Sequence, residues 1–227
     1  MTSPSAAPLK PAGFSRFSSV HLLIAIAVLL ISSPFVMELS YARVIEGLLL
    51  TAVLLSGLFA VSANRWMMVG ALLAGLALSS QWLSFHVPGL KPVALVVTAV
   101  FVGLVVMRLV FHVLTAEKVS HETLCACIAG FLLIGILWTA LYTLVASLNP
   151  EAFAFARPEE TMNGFEAFYF SFVTLSTIGY GDITPVTRVA RMLCVMEAVT
   201  GMFYVTVLIA RLVSIFSSSS KRPPAEH

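Results

Sequence analysis

Six long apolar stretches constrain this chain most, because each is nearly long enough to cross a lipid bilayer as a helix. They lie at about residues 20–36, 44–62, 67–84, 92–112, 123–147 and 189–216. A helix needs about 20 apolar residues to span the hydrocarbon core. Of the 227 residues, 59% are hydrophobic and 11% are charged, whereas soluble domains carry about 25% charged residues. The sequence therefore predicts an all-α membrane protein with six spans.

A short polar segment at residues 116–122 divides the chain into two parts. Before it, residues 19–115 are predicted to form a four-helix transmembrane domain. After it, residues 123–216 are predicted to form a helix, a re-entrant segment and a second helix. Residues 1–18 are rich in Pro, Ser and Ala, which predicts a disordered cytoplasmic tail. Residues 217–227 predict a second short tail on the same side.

The distribution of positive residues predicts the orientation, because lysine and arginine are in excess on the cytoplasmic side. With the amino terminus inside, the cytoplasmic side holds Lys10, Arg16, Arg65, Arg108, Lys118, Arg211, Lys221 and Arg222. The outside holds Arg43, Lys91, Arg157, Arg188 and Arg191. We therefore expect both termini to be cytoplasmic and the protein to lie in the cell inner (plasma) membrane. The first span resembles a secretory signal in its basic flank, but five more spans follow, so it is predicted to be retained.

A six-residue segment, TIGYGD at positions 177–182, lies in the predicted outside region between the last two spans. Gly179 and Gly181 lack a Cβ and can adopt backbone angles that other residues avoid. If alternate residues take such angles, consecutive carbonyls point the same way and can replace the hydration shell of an ion. Thr177 offers an additional side-chain oxygen, and Tyr180 can brace the segment from behind. A glycine-rich turn before a helix is the simpler alternative.

The residues before this segment predict a short helix. Asn163 is a good N-cap, and Glu166 three residues later is close to a capping box. The helix is expected to begin at about Gly164 and to end at Ser176, with its carbonyl end directed inward. The negative end of its dipole would favour a cation there. Its packing residues are predicted to be Phe165, Phe168, Tyr169, Phe172 and Leu175.

All six residues of the TIGYGD segment match the signature T-[VI]-G-[YF]-G plus Asp, so this part of the chain resembles the potassium channel pore family. The resemblance implies a homotetramer in the membrane that conducts K⁺ passively, with K⁺, membrane lipid and identical subunits as partners. Nucleic acid is not an expected partner. The implied filter is Thr177, Ile178, Gly179, Tyr180 and Gly181. Carbonyls of its first four residues and the Thr177 hydroxyl would coordinate K⁺. Neither catalysis nor a cofactor is implied.

Asp182 follows the filter residues, as it does in the family. Many family members pair this Asp with a Trp on the helix before the filter. In this chain Tyr169 and Phe170 stand near that place. Tyr169 is therefore the candidate substitute, and Asp182 and Tyr169 are predicted to support the filter together.

The last span carries the residues that the family's register places beside the ion path. Gly201 lies where many members have a hinge glycine, and both a hinge and a close helix contact are open interpretations. Met202, Val205 and Ile209 should face the central cavity, where an apolar lining can gate by dewetting. Glu197 lies well round the helix from this stripe. It is expected against the preceding short helix or a neighbouring chain, hydrogen-bonded or protonated, and outside the ion path.

The four spans of the amino-terminal half resemble voltage-gated and cyclic-nucleotide-gated channels in number only. A voltage sensor needs several Arg or Lys residues spaced three apart on its fourth helix. The fourth span here has one, Arg108, near its inner end. We therefore expect weak voltage dependence or none, with Arg108 anchoring the helix at the membrane interface.

Other functions compete with that of a potassium-selective channel. A weakly selective cation channel or a channel-like potassium transporter subunit is the alternative, although such transporters carry four related filters in one chain. A membrane enzyme would need His, Asp, Ser or Cys clustered at one depth, and the sequence shows no such cluster. A non-conducting accessory subunit could lose the TIGYGD segment, which is intact here.

Overall fold

A computed structural model describes residues 18–36, 42–60, 72, 74–80, 82–83, 87–116, 118, 120–157 and 159–220. Most of these residues are helical. The predicted amino-terminal tail, up to position 17, lies outside the described residues. So do residues 221–227 and much of the third predicted span.

Long apolar helices make up the described amino-terminal half. They are α1 (Ser18–Val36), α2 (Ala42–Ala60) and α3 (Lys91–Thr115). Residues 74–80 and 82–83 of the predicted third span are also helical. A short 3₁₀ turn, Pro88–Leu90, leads into α3. Proline in the first turn of α3 fits there because its missing N–H would have no helical partner.

The carboxy-terminal half has two long helices around a short one: α4 (His121–Leu148), α5 (Gly164–Leu175) and α6 (Arg188–Ser220). The Ser120 side chain caps α4 by accepting a hydrogen bond from the Thr123 amide at 3.2 Å. At the other end, the side chain of Asn149 accepts from the Glu151 amide at 3.1 Å. This contact starts the 3₁₀ turn Pro150–Ala152.

A small antiparallel pairing joins the two loops on either side of α5. Strand β1 (Phe153–Phe155) pairs with β2 (Ile183–Pro185), with Ala154 opposite Thr184. The pairing fixes the segment after α5 to the segment after α4. Sequence reasoning did not predict it, because three residues are too few to show a two-residue period.

Three of the described helices are long and apolar enough to cross a membrane. They are Lys91–Thr115, His121–Leu148 and the stretch Arg188–Ile215 of α6. The first two helices contain shorter apolar segments, Ser19–Phe35 and Gly47–Gly57. The all-α membrane fold is therefore confirmed, while the full set of six spans stays a prediction.

Two buried clusters hold the chain together. The first lies among α1, α2, α3 and α4, and α3 contributes Phe101, Val102, Val105, Leu109 and Val113 to it. The second lies where α4, α5 and the start of α6 meet the strands, and includes Trp138, Tyr142, Phe153, Phe170, Leu175 and Ile183. Helix α4 belongs to both clusters, so it connects the two halves.

Two predicted boundaries shift in the structure. The linker ends at Ser120 rather than at residue 122, because the Ser120 cap places His121 and Glu122 in the first turn of α4. Helix α6 continues through Ser220, so the predicted tail begins inside a helix. Serine is only moderately unfavourable in a helix, and a helix already formed extends through it at little cost.

Candidate ion-conducting site

The backbone φ angle alternates in sign along the TIGYG segment (residues 177–181). The φ angles of Thr177, Gly179 and Gly181 are 59°, 58° and 82°. The two glycines were expected to take such angles, and they do. Thr177 was not, and it is the only residue other than glycine with positive φ in the described part of the chain. A β-branched residue is a clear outlier there, so the surrounding structure must hold it in place.

The first three amides of the TIGYG segment donate hydrogen bonds to the end of α5. Thr177 N donates to Thr174 O at 3.0 Å, and Ile178 N donates to Val173 O at 3.0 Å. Gly179 N lies 3.4 Å from the same Val173 oxygen. Over the described ranges, no hydrogen bond ends on a carbonyl of the TIGYG segment. Its carbonyl oxygens are therefore available to an ion.

Helix α5 positions this segment, and its bounds confirm the predicted short helix. Asn163 Oδ1 accepts hydrogen bonds from the amides of Phe165 at 2.9 Å and Glu166 at 3.4 Å. The reciprocal half of a capping box is missing. Glu166 Oε2 is buried without a partner among the described residues, and burial raises the pKa of this carboxyl. At the other end, Ser176 terminates the helix beside the TIGYG segment.

Tyr169 and Asp182 meet, as the sequence suggested. Tyr169 Oη donates to Asp182 Oδ2 at 2.7 Å, and Asp182 Oδ1 accepts from the Ile183 amide at 3.1 Å. The bond to Asp182 and partial burial raise the pKa of Tyr169 to about 12, so its hydroxyl stays a donor at neutral pH. The Tyr169 ring also stacks on Tyr180, with centroids 6.5 Å apart and an interplanar angle of 5°. Tyr169 thus contacts residues on both sides of Gly181.

The exit of the TIGYG segment is fixed by backbone bonds to the β1 side. Ala156 N donates to Asp182 O at 2.8 Å, and Val186 N donates to Ala152 O at 2.9 Å. Together with α5, these bonds hold the segment at both ends. A loop with its first three amides occupied, its carbonyls available and both ends fixed is suited to coordinating a dehydrated cation.

The model of a family described as ion channel matches residues 130–218. The chain is 33% identical over 117 residues to voltage-gated potassium channel Kch of Escherichia coli (strain K12), which is 51% of this chain and 26% of that protein. Residues 130–218 are therefore similar to ion channels, and the curated relatives of this chain are named as potassium channels. Two further relatives match shorter stretches. Two-pore potassium channel 4 of Arabidopsis thaliana is 47% identical over 49 residues, 22% of this chain and 17% of that protein.

The hyperpolarization-activated voltage-gated potassium channel of Methanocaldococcus jannaschii is 38% identical over 50 residues, 22% of each protein. The matched part covers between 17% and 26% of these three relatives. The similarity therefore concerns only a part of each relative.

Helix α6 approaches the end of α5 very closely at Gly201. A Cβ at Gly201 would lie 2.7 Å from the Leu175 carbonyl oxygen and 2.8 Å from Leu175 Cδ1. Gly135 on α4 makes a similar approach, since a Cβ there would lie 2.5 Å from the Phe172 ring. Both contacts are with α5. This geometry favours the packing interpretation of Gly201, and the hinge stays a prediction.

The predicted cavity residues are exposed on the single protomer. Met202, Val205 and Ile209 are 59%, 41% and 56% exposed. The protomer alone does not bring them together with the TIGYG segment. Their place beside an ion path requires further chains and stays a prediction.

Glu197 is fully buried and contacts α5, as expected. Tyr142 Oη on α4 donates to Glu197 Oε2, and Ser171 Oγ on α5 lies 2.5 Å from Glu197 Oε1. Sequence reasoning named neither partner. A tyrosine inside the apolar α4 was a usable signal, because a buried tyrosine hydroxyl normally has a hydrogen-bond partner.

The acidic residues between α4 and β2 are only partly available to cations. Glu160 forms an exposed ion pair with Arg157 at 3.1 Å, and Asp182 is hydrogen-bonded to Tyr169. Glu151 and Glu159 remain exposed. An exposed pair such as Arg157–Glu160 contributes little to stability, but it offsets one negative charge.

Proposed function

We propose that this chain is a subunit of a potassium-selective channel that conducts K⁺ passively across the plasma membrane. The observation that carries the proposal is the TIGYG segment, with positive φ at every second residue from Thr177 and no hydrogen bond from any described residue to its carbonyls. K⁺ would be coordinated by carbonyls of Thr177, Ile178, Gly179 and Tyr180 and by the Thr177 hydroxyl. Passive conduction needs neither covalent chemistry nor a cofactor.

The functional unit is a homotetramer in this proposal. Each chain supplies one TIGYG segment, and irregular backbone at membrane depth must be buried in protein or line water. On the protomer, Ile178 and Tyr180 are 55% and 68% exposed. Only 11% of the most apolar 18-residue stretch of α6 is buried. Neighbouring copies around an axis would cover these surfaces.

The ion path would continue from the TIGYG segment to the cavity residues on α6. Dehydrated K⁺ would pass the carbonyls and enter a space lined by Met202, Val205 and Ile209. The carbonyl end of α5 would favour a cation at this point. An apolar lining of this kind can close by dewetting.

Weak voltage dependence is part of the proposal. Two of the relatives are named as voltage-gated. In this chain α3 holds Arg108 as its one arginine and packs into a shared core with α4. The amino-terminal half would then act as a scaffold around the pore, with both termini in the cytoplasm.

Bi-ionic reversal potentials of the purified protein in lipid bilayers test this function. With K⁺ on one side and Na⁺ on the other, a K⁺-selective pore gives a strongly displaced reversal potential. Similar permeabilities would instead show a weakly selective cation channel. A transporter subunit would give no single-channel steps, and its flux would saturate at far lower rates.

A further inference from the structure

Glu197 joins three helices at one buried point. Its side chain is on α6 and is 0% exposed. Tyr142 from α4 donates to its Oε2, and Ser171 from α5 lies 2.5 Å from its Oε1. Ser171 Oγ is also 2.9 Å from the carbonyl oxygen of Gly135 on α4.

The number of protons available for these hydrogen bonds determines the protonation state of the Glu197 carboxyl group. A serine hydroxyl has one proton to donate, and it can also accept. The Gly135 carbonyl can only accept, so Ser171 must donate to it. The contact between Ser171 and Glu197 is then a hydrogen bond only if Oε1 of Glu197 carries a proton and donates. Tyr142 supplies the bond to the other oxygen, so every contact is satisfied by the neutral acid.

The surroundings favour the same state. The titratable groups that face Glu197 are the Tyr142 hydroxyl from α4 and the Cys194 thiol on its own helix. Ser171 is its polar neighbour from α5. None of these is a cation, and the one salt bridge among the described residues is the distant Arg157–Glu160 pair. A buried carboxylate without a cation is strongly unfavourable, whereas a hydrogen-bonded neutral acid is not.

The contact lies on the faces that join α6 to α5. Glu197 and Gly201 are four residues apart and therefore share a face of α6. Their partners, Ser171 and Leu175, are likewise four apart on α5. The hydrogen bond and the close glycine contact thus fix α5 against α6 at successive turns. Between Ser171 and the end of α5, the carbonyls of Val173 and Thr174 accept hydrogen bonds from three amides of the TIGYG segment.

We propose that Glu197 is a positioning residue for ion selection, which acts as a neutral carboxylic acid that hydrogen-bonds α5 to α4 and α6. The inference rests on the proposed potassium conduction for its functional readout. Nothing in it places Glu197 in the ion path. Its role is to keep the support of the TIGYG segment at a fixed position.

The test compares two substitutions of Glu197 in the full-length protein. Glu197→Gln keeps a donor and an acceptor of the same shape, and Glu197→Leu keeps bulk but removes both. We expect Glu197→Gln to keep the K⁺/Na⁺ permeability ratio of the wild type. Glu197→Leu should lower the ratio about tenfold, which corresponds to the loss of about one buried polar pairing. Ser171→Ala should lower it in the same direction. Gly103→Ala in α3, where an added Cβ meets nothing within 4 Å, serves as the control.

Two outcomes would overturn the proposal. If Glu197→Gln is as defective as Glu197→Leu, a charged carboxylate is required. If Glu197→Leu and Ser171→Ala both select K⁺ like the wild type, the contact does not position the pore. Should Glu197→Leu fail to assemble, the Gln and Ser171→Ala variants still decide between these results.

An infrared spectrum separates this inference from the proposed function. At neutral pH the wild type should show the carbonyl stretch of a protonated carboxylic acid, and Glu197→Gln should lose it. An unselective wild type would refute potassium selection, while the infrared band would still test the neutral acid. A wild-type spectrum with no band that depends on Glu197 would refute the proton assignment.

Discussion

Thr177, Gly179 and Gly181 adopt the same left-handed backbone region at different costs. Glycine enters it without a Cβ penalty, while an L-residue with a side chain loses about 1–2 kcal/mol. Three amides of the TIGYG segment donate hydrogen bonds to the carbonyls of Val173 and Thr174, and these bonds offset the cost at Thr177. The same conformation leaves the carbonyls available, so the strain at Thr177 lies where the proposed coordination occurs.

Gly179→Ala tests whether this backbone conformation is required. A Cβ at Gly179 would meet nothing within 4 Å in the protomer, so the expected defect comes from φ of +58° rather than from a clash. A penalty of about 1–2 kcal/mol in each chain should abolish K⁺ flux. Flux into liposomes measures this, alongside the mass of the assembled protein.

Gly103→Ala is the matched control for that substitution. Gly103 lies within α3 and also has open space around a new Cβ. Its backbone is helical, so alanine should be tolerated and flux retained. Equal flux in both variants would mean that the TIGYG backbone does not need glycine at position 179.

At the scale of the elements, the junction of α5 with α6 depends on the absence of a side chain at Gly201. Gly201→Ala would push a Cβ against the Leu175 carbonyl, which is backbone and cannot rotate away. We expect a loss of about 1–3 kcal/mol in the stability of the assembled protein. Thermal dissociation in detergent measures it, again with Gly103→Ala as the control.

The same variant separates packing from bending at Gly201. A hinge without a packing role would change the open probability and leave thermal stability as in the wild type. That result would contradict the packing interpretation. A stability loss with altered selectivity would place the effect at α5 instead.

The composition of helix α3 predicts how strongly the open probability depends on voltage. Moving a full charge through the membrane field is worth about 2.3 kcal/mol per 100 mV. Arg108 lies near one end of α3, in which it is the one arginine, so it can cross only a small part of the field. Arg108→Gln should leave the open probability over a wide voltage range almost unchanged. A steep curve that flattens in this variant would instead identify α3 as a voltage sensor.

At the scale of the whole molecule, the protomer exposes the parts that would conduct ions. The TIGYG side chains Ile178 and Tyr180 and most of α6 lack cover within one chain. Exposed apolar surface of this extent marks an interface with protein or lipid. An arrangement of four copies would cover the TIGYG segments and enclose one axis.

A mass measurement of the protein in nanodiscs tests this assembly. We expect four copies in one particle and one conducting pore for each particle. Gly179→Ala should form the same particle, because its change is confined to the axis. A stable dimer that conducts K⁺ would contradict the tetramer.

The sequence by itself determined the elements whose cause is local. Apolar length predicts the membrane helices, Asn163 marks the start of α5, and the glycine spacing in 177–182 predicts alternating backbone angles. These follow from hydrophobicity, capping and the missing Cβ, which act over a few residues. The resemblance to the potassium channel pore family was recognisable for the same reason, since it lies in six consecutive residues.

Only the tertiary structure decided the contacts between distant residues. The pairing of β1 with β2 and the bonds of Glu197 to Ser171 and Tyr142 join segments far apart in sequence. No local pattern encodes such partners, because they depend on how α4, α5 and α6 pack. The Gly201–Leu175 contact is of this kind too: sequence alone left packing and hinge equal, and the approach of two backbones favours packing.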